Sequence, residues 1–345
     1  MPNATVADAR RPSLHDIAEA AQVAVSTVSR YLNGQLPLKP DTEARVVKAM
    51  ESLGYVRGSR ASRTKPVRLG TIGLIVPQIG SEYFGRIADS VVASAESQGF
   101  SVLIASTQNH SRKQLEYVEL LADKEISGII YAGNYASNLA LSAVIEQGTP
   151  VVVIDEALVG APPTDTVLVD DYAGAYQAVA HLISLGHRRI ALVTGPATLN
   201  SVHERRRGYE DALSRAGIDP DAQVQLSGQF SEDFGVSAIS RLMVSKEPPT
   251  AVFAASDTIA LGMMVGARNS GMAIPDDLSI VGFDDSPGAG YVSPRLTTVR
   301  TPVDKMAATA VTALIDRIEH PGRTIQVAVT PVVLVIGESS APPRA

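Results

Sequence analysis

Residues 13–34 read SLHDIAEAAQVAVSTVSRYLNG, a stretch that predicts two short helices joined by a three-residue turn. The first helix covers residues 14–21, where apolar residues recur at helical spacing after Ser13, which is placed as the N-cap. Residues 22–24 form the turn, and the second helix runs from Val25 to Asn33. Two helices this short and this closely joined are typical of a helix-turn-helix motif.

The second helix has an unusual surface, because short polar residues crowd its first turns. Ser26, Thr27 and Ser29 belong to residue types that disfavour a helix interior, and Arg30 follows them directly. In a helix-turn-helix protein the second helix enters the major groove of DNA. There hydroxyl groups can hydrogen-bond to phosphates or bases, and an arginine can contact guanine with two hydrogen bonds. We therefore expect a DNA-binding head; the alternative is a three-helix surface module that binds nothing.

A third helix is expected to begin near Pro40, since proline suits the first helical position, and to end at Gly54. Its expected inward residues are Val46, Val47, Met50 and Leu53. Residues 1–68 carry 11 Lys and Arg against 6 Asp and Glu, a balance of +5, whereas the other 277 residues have a balance of −11. A basic head on an acidic body favours a module that binds a polyanion, although such a balance can also arise by chance.

Length and composition set further bounds. A chain of 345 residues favours two or three domains, and 45% hydrophobic with 19% charged residues is typical of a soluble globular protein. There is no cysteine, which excludes disulfides and thiolate sites. The N-terminal residues lack the apolar core of a secretory signal, and no run of about 18 apolar residues occurs. We therefore expect a cytoplasmic protein with no membrane partner.

From Gly70 onward, short apolar segments alternate with amphipathic ones. The segments that predict strands are TIGLIVP, FSVLIAST, SGIIYAG, PVVVIDE, RIALVTG, QVQLSG, TAVFAAS and LSIVGFDD. Helices are expected between them, for example Tyr83 to Gln98 and Gly174 to Leu185, the latter ended by Gly186. About ten apolar strands with helical crossovers predict two parallel sheets covered on both faces, divided near Asp170.

Ligands of such sheets bind beyond the carboxyl ends of the strands, which selects the residues that follow each strand. Those residues are Ser81, Tyr83, Phe84, Asp155, Ser256, Asp257 and Asp284. Two alternatives stay open at this point. Tyr83 and Phe84 can belong to the core, and Asp257 can cap the helix that follows it.

The stretch SLHDIAEAAQVAVSTVSRYLNG resembles the DNA-binding head of the LacI/GalR family of bacterial transcription regulators, whose usual form is close to T-x-x-D-V-A-x-x-A-G-V-S-x-x-T-V-S-R-x-L-N. The resemblance implies that Val25, Ser26 and Arg30 occupy base-reading positions. The residues that it implies for contacts with the DNA backbone are Ser13, Thr27, Ser29 and Asn33. Two departures stand out: Gln22 replaces the turn glycine, and Ala24 replaces the serine that caps the second helix, a loss of about 1 kcal/mol.

The segment YVRGSRASRTKPVRLG, residues 55–70, occupies the place of the family's hinge, which forms a helix on DNA and inserts a leucine into the minor groove. Thr64 stands where that leucine belongs, so the apolar wedge is in doubt. Arg57, Arg60 and Arg63 would form one cationic stripe on a helix. We hypothesise that this hinge binds the minor groove through charge and groove width, with less bending of the DNA. The alternative is a basic flexible linker that contacts no base.

The stretches HLISLGHRRIALVTGP, RRRGYEDAL, AASDTIALG and LSIVGFDDSP resemble the effector-binding core of the same family, which is similar in fold to periplasmic sugar-binding proteins. The expected fold class is α/β, with an N-terminal all-α helix-turn-helix head joined to a periplasmic-binding-protein-like core of two doubly wound parallel-sheet lobes. The expected bounds are 1–56 for the head, 57–68 for the hinge and 69–340 for the core, with a first lobe of about 69–169 plus 301–328 and a second of about 170–300 plus 329–340. The resemblance adds Arg205 and Phe230 to the effector site. Carboxylates and an arginine around an aromatic ring suit a sugar or sugar derivative.

The sequence offers no motif that supports catalysis or the binding of a metal or cofactor. There is no Walker A motif and no G-x-S-x-G elbow, and the six histidines show no metal-ligand spacing. We therefore expect no enzyme, no metal and no cofactor. The expected protein is a homodimeric transcriptional regulator, a repressor, that binds operator DNA under the control of a small molecule held between the lobes. The alternatives are a regulator controlled by a protein partner or a non-sugar metabolite, and a solute-binding protein.

Overall fold

A computed structural model describes residues 12–32, 37–53, 55, 70–122, 126–133, 138–158 and 160–344. The chain divides into two compact units, Met1–Pro66 and Val67–Ala345. The sequence-predicted residues that lie outside the described ones are Asn33, Arg57, Arg60 and Arg63. The whole predicted hinge lies there too, so the bounds of head, hinge and core stay predictions. Among the described residues, no helix is long and apolar enough to cross a membrane.

The first unit contains three helices in its described part. They are α1 (Leu14–Ala21), α2 (Val25–Leu32) and α3 (Pro40–Ser52). Their shared core consists of Ile17, Ala18, Ala21, Val28, Val46 and Ala49. The helix-turn-helix predicted from the sequence is confirmed, with its turn at residues 22–24.

Helix α3 faces its core differently from the prediction. Val46 is buried as expected, but Val47 and Leu53 are exposed, and Ala49 is buried in their place. Ala49 lies three residues after Val46 and therefore on the same helix face, whereas Val47 is turned about 100° away. Leu53 follows the last helical residue. The predictions for Val47 and Leu53 were therefore wrong.

Both ends of α1 are capped. The Ser13 amide and hydroxyl donate to Oδ2 of Asp16 at 2.6 and 2.7 Å, and the Asp16 amide donates back to Ser13 Oγ at 3.4 Å, which completes a capping box. At the other end Gln22 has a φ of 52°, and its amide donates to the Glu19 carbonyl at 3.1 Å. The position usually held by glycine thus needs the left-handed conformation, which is costly for glutamine.

The second unit is a succession of alternating strands and helices. Its strands are β1 (Gly70–Val76), β2 (Phe100–Ser106), β3 (Gly128–Tyr131), β4 (Val151–Asp155), β5 (Asp165–Val169), β6 (Ile190–Thr194), β7 (Gln225–Ser227), β8 (Ala251–Ala254), β9 (Ser279–Asp284), β10 (Thr297–Arg300), β11 (Val327–Thr330) and β12 (Val333–Val335). Its helices are α4 (Glu82–Ser97), α5 (Ser111–Ala122), α6 (Leu139–Glu146), α7 (Asp171–Ser184), α8 (Asn200–Arg215), α9 (Glu232–Met243), α10 (Asp257–Asn269), α11 (Pro287–Tyr291) and α12 (Val303–Glu319).

The strands form two six-stranded sheets. The first has the order β11-β5-β4-β3-β1-β2 and is parallel throughout. The second has the order β12-β10-β9-β8-β6-β7 and is parallel except for β12, which runs antiparallel to β10. We call the first sheet with α4, α5, α6 and α12 the first lobe, and the second sheet with α7 to α11 the second lobe. The chain crosses between the lobes three times, after β5, β10 and β11.

The predicted fold class is confirmed, with differences of detail. The expected count of about ten strands was too low, since the described residues hold twelve. Two of the strands without a predicted segment, β11 and β12, are four and three residues long and lie at sheet edges, where no long apolar run is needed. Helix α4 starts and ends one residue earlier than predicted, and α7 starts three residues earlier. Gly186 has a φ of 100° directly after α7, as expected of a glycine that ends a helix.

The return of the chain to the first lobe is fixed by a buried ion network. Asp165, at the start of β5, accepts from Arg317 Nε at 2.9 Å and from Arg323 Nη1 and Nη2 at 2.9 and 3.0 Å. The Gln326 amide donates to the same carboxylate at 2.9 Å. The network ties α12 and the loop after it to β5, so that β11 can pair with that strand.

Candidate functional site

The outer face of α2 is polar and open to solvent. Val25, Ser26 and Arg30 are exposed, while Thr27 and Ser29 are half-buried. Val28 points the other way, into the core of the first unit. Tyr31 fixes the helix to α3, because its hydroxyl donates to Glu43 Oε1 at 2.7 Å. The helix thus presents its predicted base-reading residues on one accessible surface.

In the second unit, two aspartates occupy strand ends in the left-handed region of the backbone. Asp155 ends β4 of the first lobe with a φ of 80°, and Asp284 ends β9 of the second lobe with a φ of 115°. A positive φ is uncommon for residues other than glycine, although aspartate adopts it more readily than most, and strained backbone clusters at functional sites. The strand-end rule therefore selected positions where the backbone itself is unusual.

The centre of the site is Arg205, on α8, whose side chain is only 6% exposed. Its Nε donates to Asp171 Oδ1 at 2.7 Å, and its Nη1 donates to the Ala255 carbonyl. Its Nη2 lies 3.9 Å from Asp284 Oδ1. The guanidinium carbon also stacks 3.8 Å from the centroid of the Phe283 ring. Arg205 is thus held in one orientation by four groups of the second lobe.

The aromatic rings of Tyr83 and Phe84, on the first turn of α4, pack edge to face with their centroids 5.2 Å apart. The Tyr83 hydroxyl donates to Asp155 Oδ1, so it belongs to the site. Both rings are half-buried and also pack against the apolar core. Both rings therefore pack against the core, and Tyr83 in addition contacts the predicted site residue Asp155; its role in effector binding stays a prediction.

The remaining predicted residues have individual surroundings. Ser256 accepts from the Ile259 amide at 3.2 Å and caps α10, so the alternative that Asp257 is the cap was wrong. Asp257 is fully buried and accepts from Thr298 Oγ1 at 2.5 Å and from the Ser286 amide at 2.7 Å, which joins three elements of the second lobe. Phe230 is half-buried against Gly195, just after β6, and Ser81 is half-buried at the start of α4.

Among the residues that the structure describes, three hydrogen-bonded contacts join the two lobes across the cleft. Glu156 of the first lobe accepts from the amides of Asn200 and Ser201 at 3.0 and 3.3 Å and from the Ser201 hydroxyl. Glu82 accepts from the Gly288 amide at 3.0 Å. Arg86 Nη1 donates to the carbonyl of Asp285 at 3.0 Å. The lobes are therefore in mutual contact at the mouth of the site.

The carboxyl groups of the site are harder to ionise than free ones. Burial, followed by the charge of Glu156, raises the pKa of Asp155 to about 7. Burial raises the pKa of Asp171 to about 6 against the lowering effect of Arg205, and burial also raises the pKa of Asp284 well above its ordinary value. Although burial lowers the pKa of Arg205, the charges of Asp171 and Asp284 outweigh it and raise that pKa. The site thus contains more carboxyl groups than cations, and the cation at its centre is the permanently charged guanidinium of Arg205.

Two residues of the site were not predicted. Asp171 lies in the pair Asp170–Asp171 at the carboxyl end of β5, and β5 was not among the predicted segments, so the strand-end rule was not applied there. Glu156 directly follows the predicted Asp155, but its partners belong to the other lobe. Among the described residues, no cluster of three His, Cys, Asp or Glu side chains could hold a metal ion.

Family models match both units. Residues 13–58 match the model of bacterial regulatory proteins of the lacI family, and residues 179–340 match the model of a periplasmic binding protein-like domain. The HTH-type transcriptional regulator DegA of Bacillus subtilis (strain 168) is 33% identical over 303 residues, which are 86% of this chain and 89% of DegA.

Solved structures resemble the chain over nearly its whole length. The complex of the transcriptional regulator CelR with cellobiose has a TM-score of 0.74 at 30% identity and covers 96% of this chain and 100% of that one. The lac repressor dimer bound to operator and the anti-inducer ONPF has a TM-score of 0.74 at 25% identity, with the same coverage. The chain therefore belongs to the lacI family of bacterial regulatory proteins, and it is a DNA-binding transcriptional repressor.

Proposed function

We propose that a sugar or sugar derivative, bound between the two lobes, controls the affinity of this repressor for its operator. The observation that carries the proposal is the meeting of Arg205, Asp155 and Asp284 at the carboxyl ends of strands from both lobes. Charged donors and acceptors of this kind form strong hydrogen bonds with the paired hydroxyls of a sugar. The CelR structure, which contains cellobiose, supports the same ligand class.

The proposed effector site comprises the predicted residues Ser81, Tyr83, Phe84, Asp155, Arg205, Phe230, Ser256, Asp257 and Asp284. Asp257 and Ser256 are fully engaged with the protein and act by shaping the site, whereas Tyr83, Asp155 and Asp284 offer polar atoms to the cleft. Binding of the sugar favours one arrangement of the two lobes over another, and the resulting change in the first lobe alters DNA binding. Such coupling requires that the sugar have unequal affinity for the two states of the protein.

For the DNA surface, we propose that Val25, Ser26 and Arg30 read base edges, and that Ser13, Thr27, Ser29 and Asn33 contact the DNA backbone. The exposed face of α2 supports this assignment. The hydroxyl of Ser13 already serves the capping box of α1, so its contact would come in addition to that role. The basic stripe of Arg57, Arg60 and Arg63 is proposed to follow the minor groove.

We also propose that the repressor is a homodimer whose two heads bind the halves of a near-palindromic operator. The lac repressor, to which this chain is similar, is a dimer on its operator. Leu103 and Ile104 on the edge strand β2 are 47% and 40% exposed, and Tyr291 at the end of α11 is 89% exposed.

The proposal is tested by selecting bound duplexes from a random library and then titrating the selected duplex with a panel of neutral sugars. We expect Arg30→Ala to relax selection at one base pair by about 1–3 kcal/mol. Arg45→Ala, an exposed arginine on α3, removes the same charge and should leave the selected sequence unchanged. Failure to select any duplex would overturn the DNA surface, and failure of every sugar to change DNA affinity would overturn the sugar effector.

A further inference from the structure

Helix α2, which carries the residues proposed to read base edges, is held by few contacts of its own. Val28 is the one residue of α2 that is fully buried, and Tyr31 and Leu32 pack partly against the core of the first unit. Ala24 stands before the first helical residue and has no side-chain oxygen that could cap the helix. Packing alone therefore leaves the rotation of this short helix about its own axis poorly determined.

A hydrogen bond to the third helix adds a constraint on that rotation. The Tyr31 hydroxyl, on the last turn of α2, donates at 2.7 Å to Oε1 of Glu43, on the first turn of α3. A carboxylate is favoured in the first turn of a helix, so Glu43 is a charged and strong acceptor. Among the residues of the first unit that the structure describes, no other side-chain hydrogen bond joins α2 to another helix. The bond of Arg30 Nε ends on the Ser26 carbonyl, within α2 itself.

The rotation of α2 decides where its exposed side chains lie. Arg30 directly precedes Tyr31, and Ser26 lies one turn before Arg30 on the same exposed face. A rotation of α2 by about 20° moves a side-chain atom that lies roughly 6 Å from the helix axis by about 2 Å. An arginine that contacts guanine needs two hydrogen bonds of about 2.9 Å, and a displacement of that size breaks both.

Resting on the proposed base-reading role of α2, we infer that Glu43 is a positioning residue for DNA recognition. Through Tyr31 it sets the rotation of α2, and thereby the place of Arg30 in the major groove. The carboxylate of Glu43 is repelled by DNA phosphates, so it acts without binding the DNA itself. The bond therefore governs discrimination between base pairs, whereas binding to DNA in general depends on the charge of the protein.

The test measures the affinity of the full chain for three duplexes. They are the selected duplex, the same duplex with an exchange at the base pair where Arg30→Ala relaxes selection, and a random duplex. Tyr31→Phe removes the hydroxyl donor without a change of charge, and we expect discrimination against the exchanged base pair to fall about fivefold. Binding to the random duplex should stay within about twofold of the wild type, because no charge is lost.

The acceptor is tested in the same way. Glu43→Ala should lose the same discrimination, and Glu43→Gln, whose amide oxygen can still accept from Tyr31, should restore it. Glu51→Ala, at an exposed position on the last turn of α3, removes an equal charge and serves as the control. In the Tyr31→Phe background, Glu43→Ala should bring no further loss of discrimination, because the bond is already absent.

Two results overturn the inference. One is unchanged discrimination in both Tyr31→Phe and Glu43→Ala. The other is an equal loss of affinity for the selected and the random duplex, which shows that the bond only supports the fold of the first unit. If the wild type itself selects no duplex, the proposed DNA surface fails and the inference fails with it, whereas variants that match a selective wild type contradict the inference alone.

Discussion

The carboxylate of Glu156, in the first lobe, accepts a hydrogen bond of 3.3 Å from the amide of Ser201, at the start of α8 in the second lobe. The same carboxylate accepts from the Asn200 amide and the Ser201 hydroxyl. The residue before α8, Leu199, has no side chain that can cap the helix. Glu156 therefore caps a helix of the opposite lobe, so separation of the lobes would remove this cap. Arg205, a residue of the proposed effector site, lies one turn further along the same helix.

We expect Glu156→Ala to shift the ligand-free protein toward an open form. A helix cap contributes about 1 kcal/mol, which corresponds to roughly a fivefold change in the ratio of closed to open molecules. The larger radius of gyration of the open form is measured by small-angle X-ray scattering. Glu146→Ala, on the exposed end of α6 in the same lobe, is the control. An unchanged radius for Glu156→Ala would mean that the lobes stay closed without this cap.

The buried carboxyl groups should add stability to the ligand-free protein as the pH falls from 8 to 6, whereas His181 and His187, whose pKa burial lowers, oppose them. Burial raises the pKa of Asp155 to about 7, of Asp171 to about 6 and of Asp257 to about 7, all above the value of about 4 in the unfolded chain. At these three positions the folded protein therefore binds more protons than the unfolded one in this range, and their contribution to the free energy of unfolding decreases as the pH rises. Each such group changes that free energy by up to about 1.4 kcal/mol per pH unit.

Denaturant unfolding at several pH values measures this slope. Asp155→Asn should flatten it, because the variant has no carboxyl group to protonate at that position. A slope that is the same for Asp155→Asn and the wild type would show that Asp155 does not take up a proton on folding.

Much of the cleft follows from the sequence because parallel strands place their carboxyl ends along one edge. Asp155 and Asp284 were found by that rule. The rule was not applied after β5, which was not among the predicted segments, and it would not separate Asp170 from Asp171. The rotation of α7 distinguishes the two residues: the Asp170 side chain accepts from the Ala173 amide at 3.0 Å and caps the helix, whereas Asp171 contacts Arg205. Glu156 could not be found either, because its partners come from the other lobe, and only the folded chain brings them to it.

Asp165 should contribute less stability as the pH falls, in contrast to the buried carboxyl groups of the cleft. Burial alone would raise its pKa, but the hydrogen bonds from Arg317, Gln326 and Arg323 outweigh burial and lower it. Ionised Asp165 therefore stabilises the fold fully at pH values above its unfolded-state pKa of about 4. This stabilisation is lost as the pH falls through its lower pKa in the folded protein. Asp165→Asn should cost about 3–5 kcal/mol at pH 7, because it leaves two arginines without their buried partner.

Thermal unfolding of Asp165→Asn checks this value. Asp316→Asn, which removes the more exposed partner of Arg323, should cost under about 1 kcal/mol. Equal losses for the two variants would show that burial of Asp165 adds nothing to the network.

The turn of the helix-turn-helix offers a stabilising change. Gln22 has a φ of 52°, and a left-handed conformation costs a residue with a side chain about 1–2 kcal/mol more than glycine. Gln22→Gly should therefore stabilise the first unit by about 1 kcal/mol. The measurement is amide hydrogen exchange of α1 and α2 in the full chain. Glu19→Gly, on the exposed side of α1, should destabilise instead, because glycine is unfavourable inside a helix.

The three hinge arginines should make DNA binding more strongly dependent on salt concentration. Each arginine that neutralises a phosphate releases a counterion, so removing it lowers the slope of log K against log salt by about 1. If Arg57, Arg60 and Arg63 all lie along the minor groove, replacing the three by glutamine should lower the slope by about 3. Replacing Lys48, Arg45 and Lys39, on or just before α3, removes the same charge from the first unit and is the control. A slope that the hinge variant leaves unchanged would show that the three arginines neutralise no phosphate, which contradicts the proposed stripe along the minor groove.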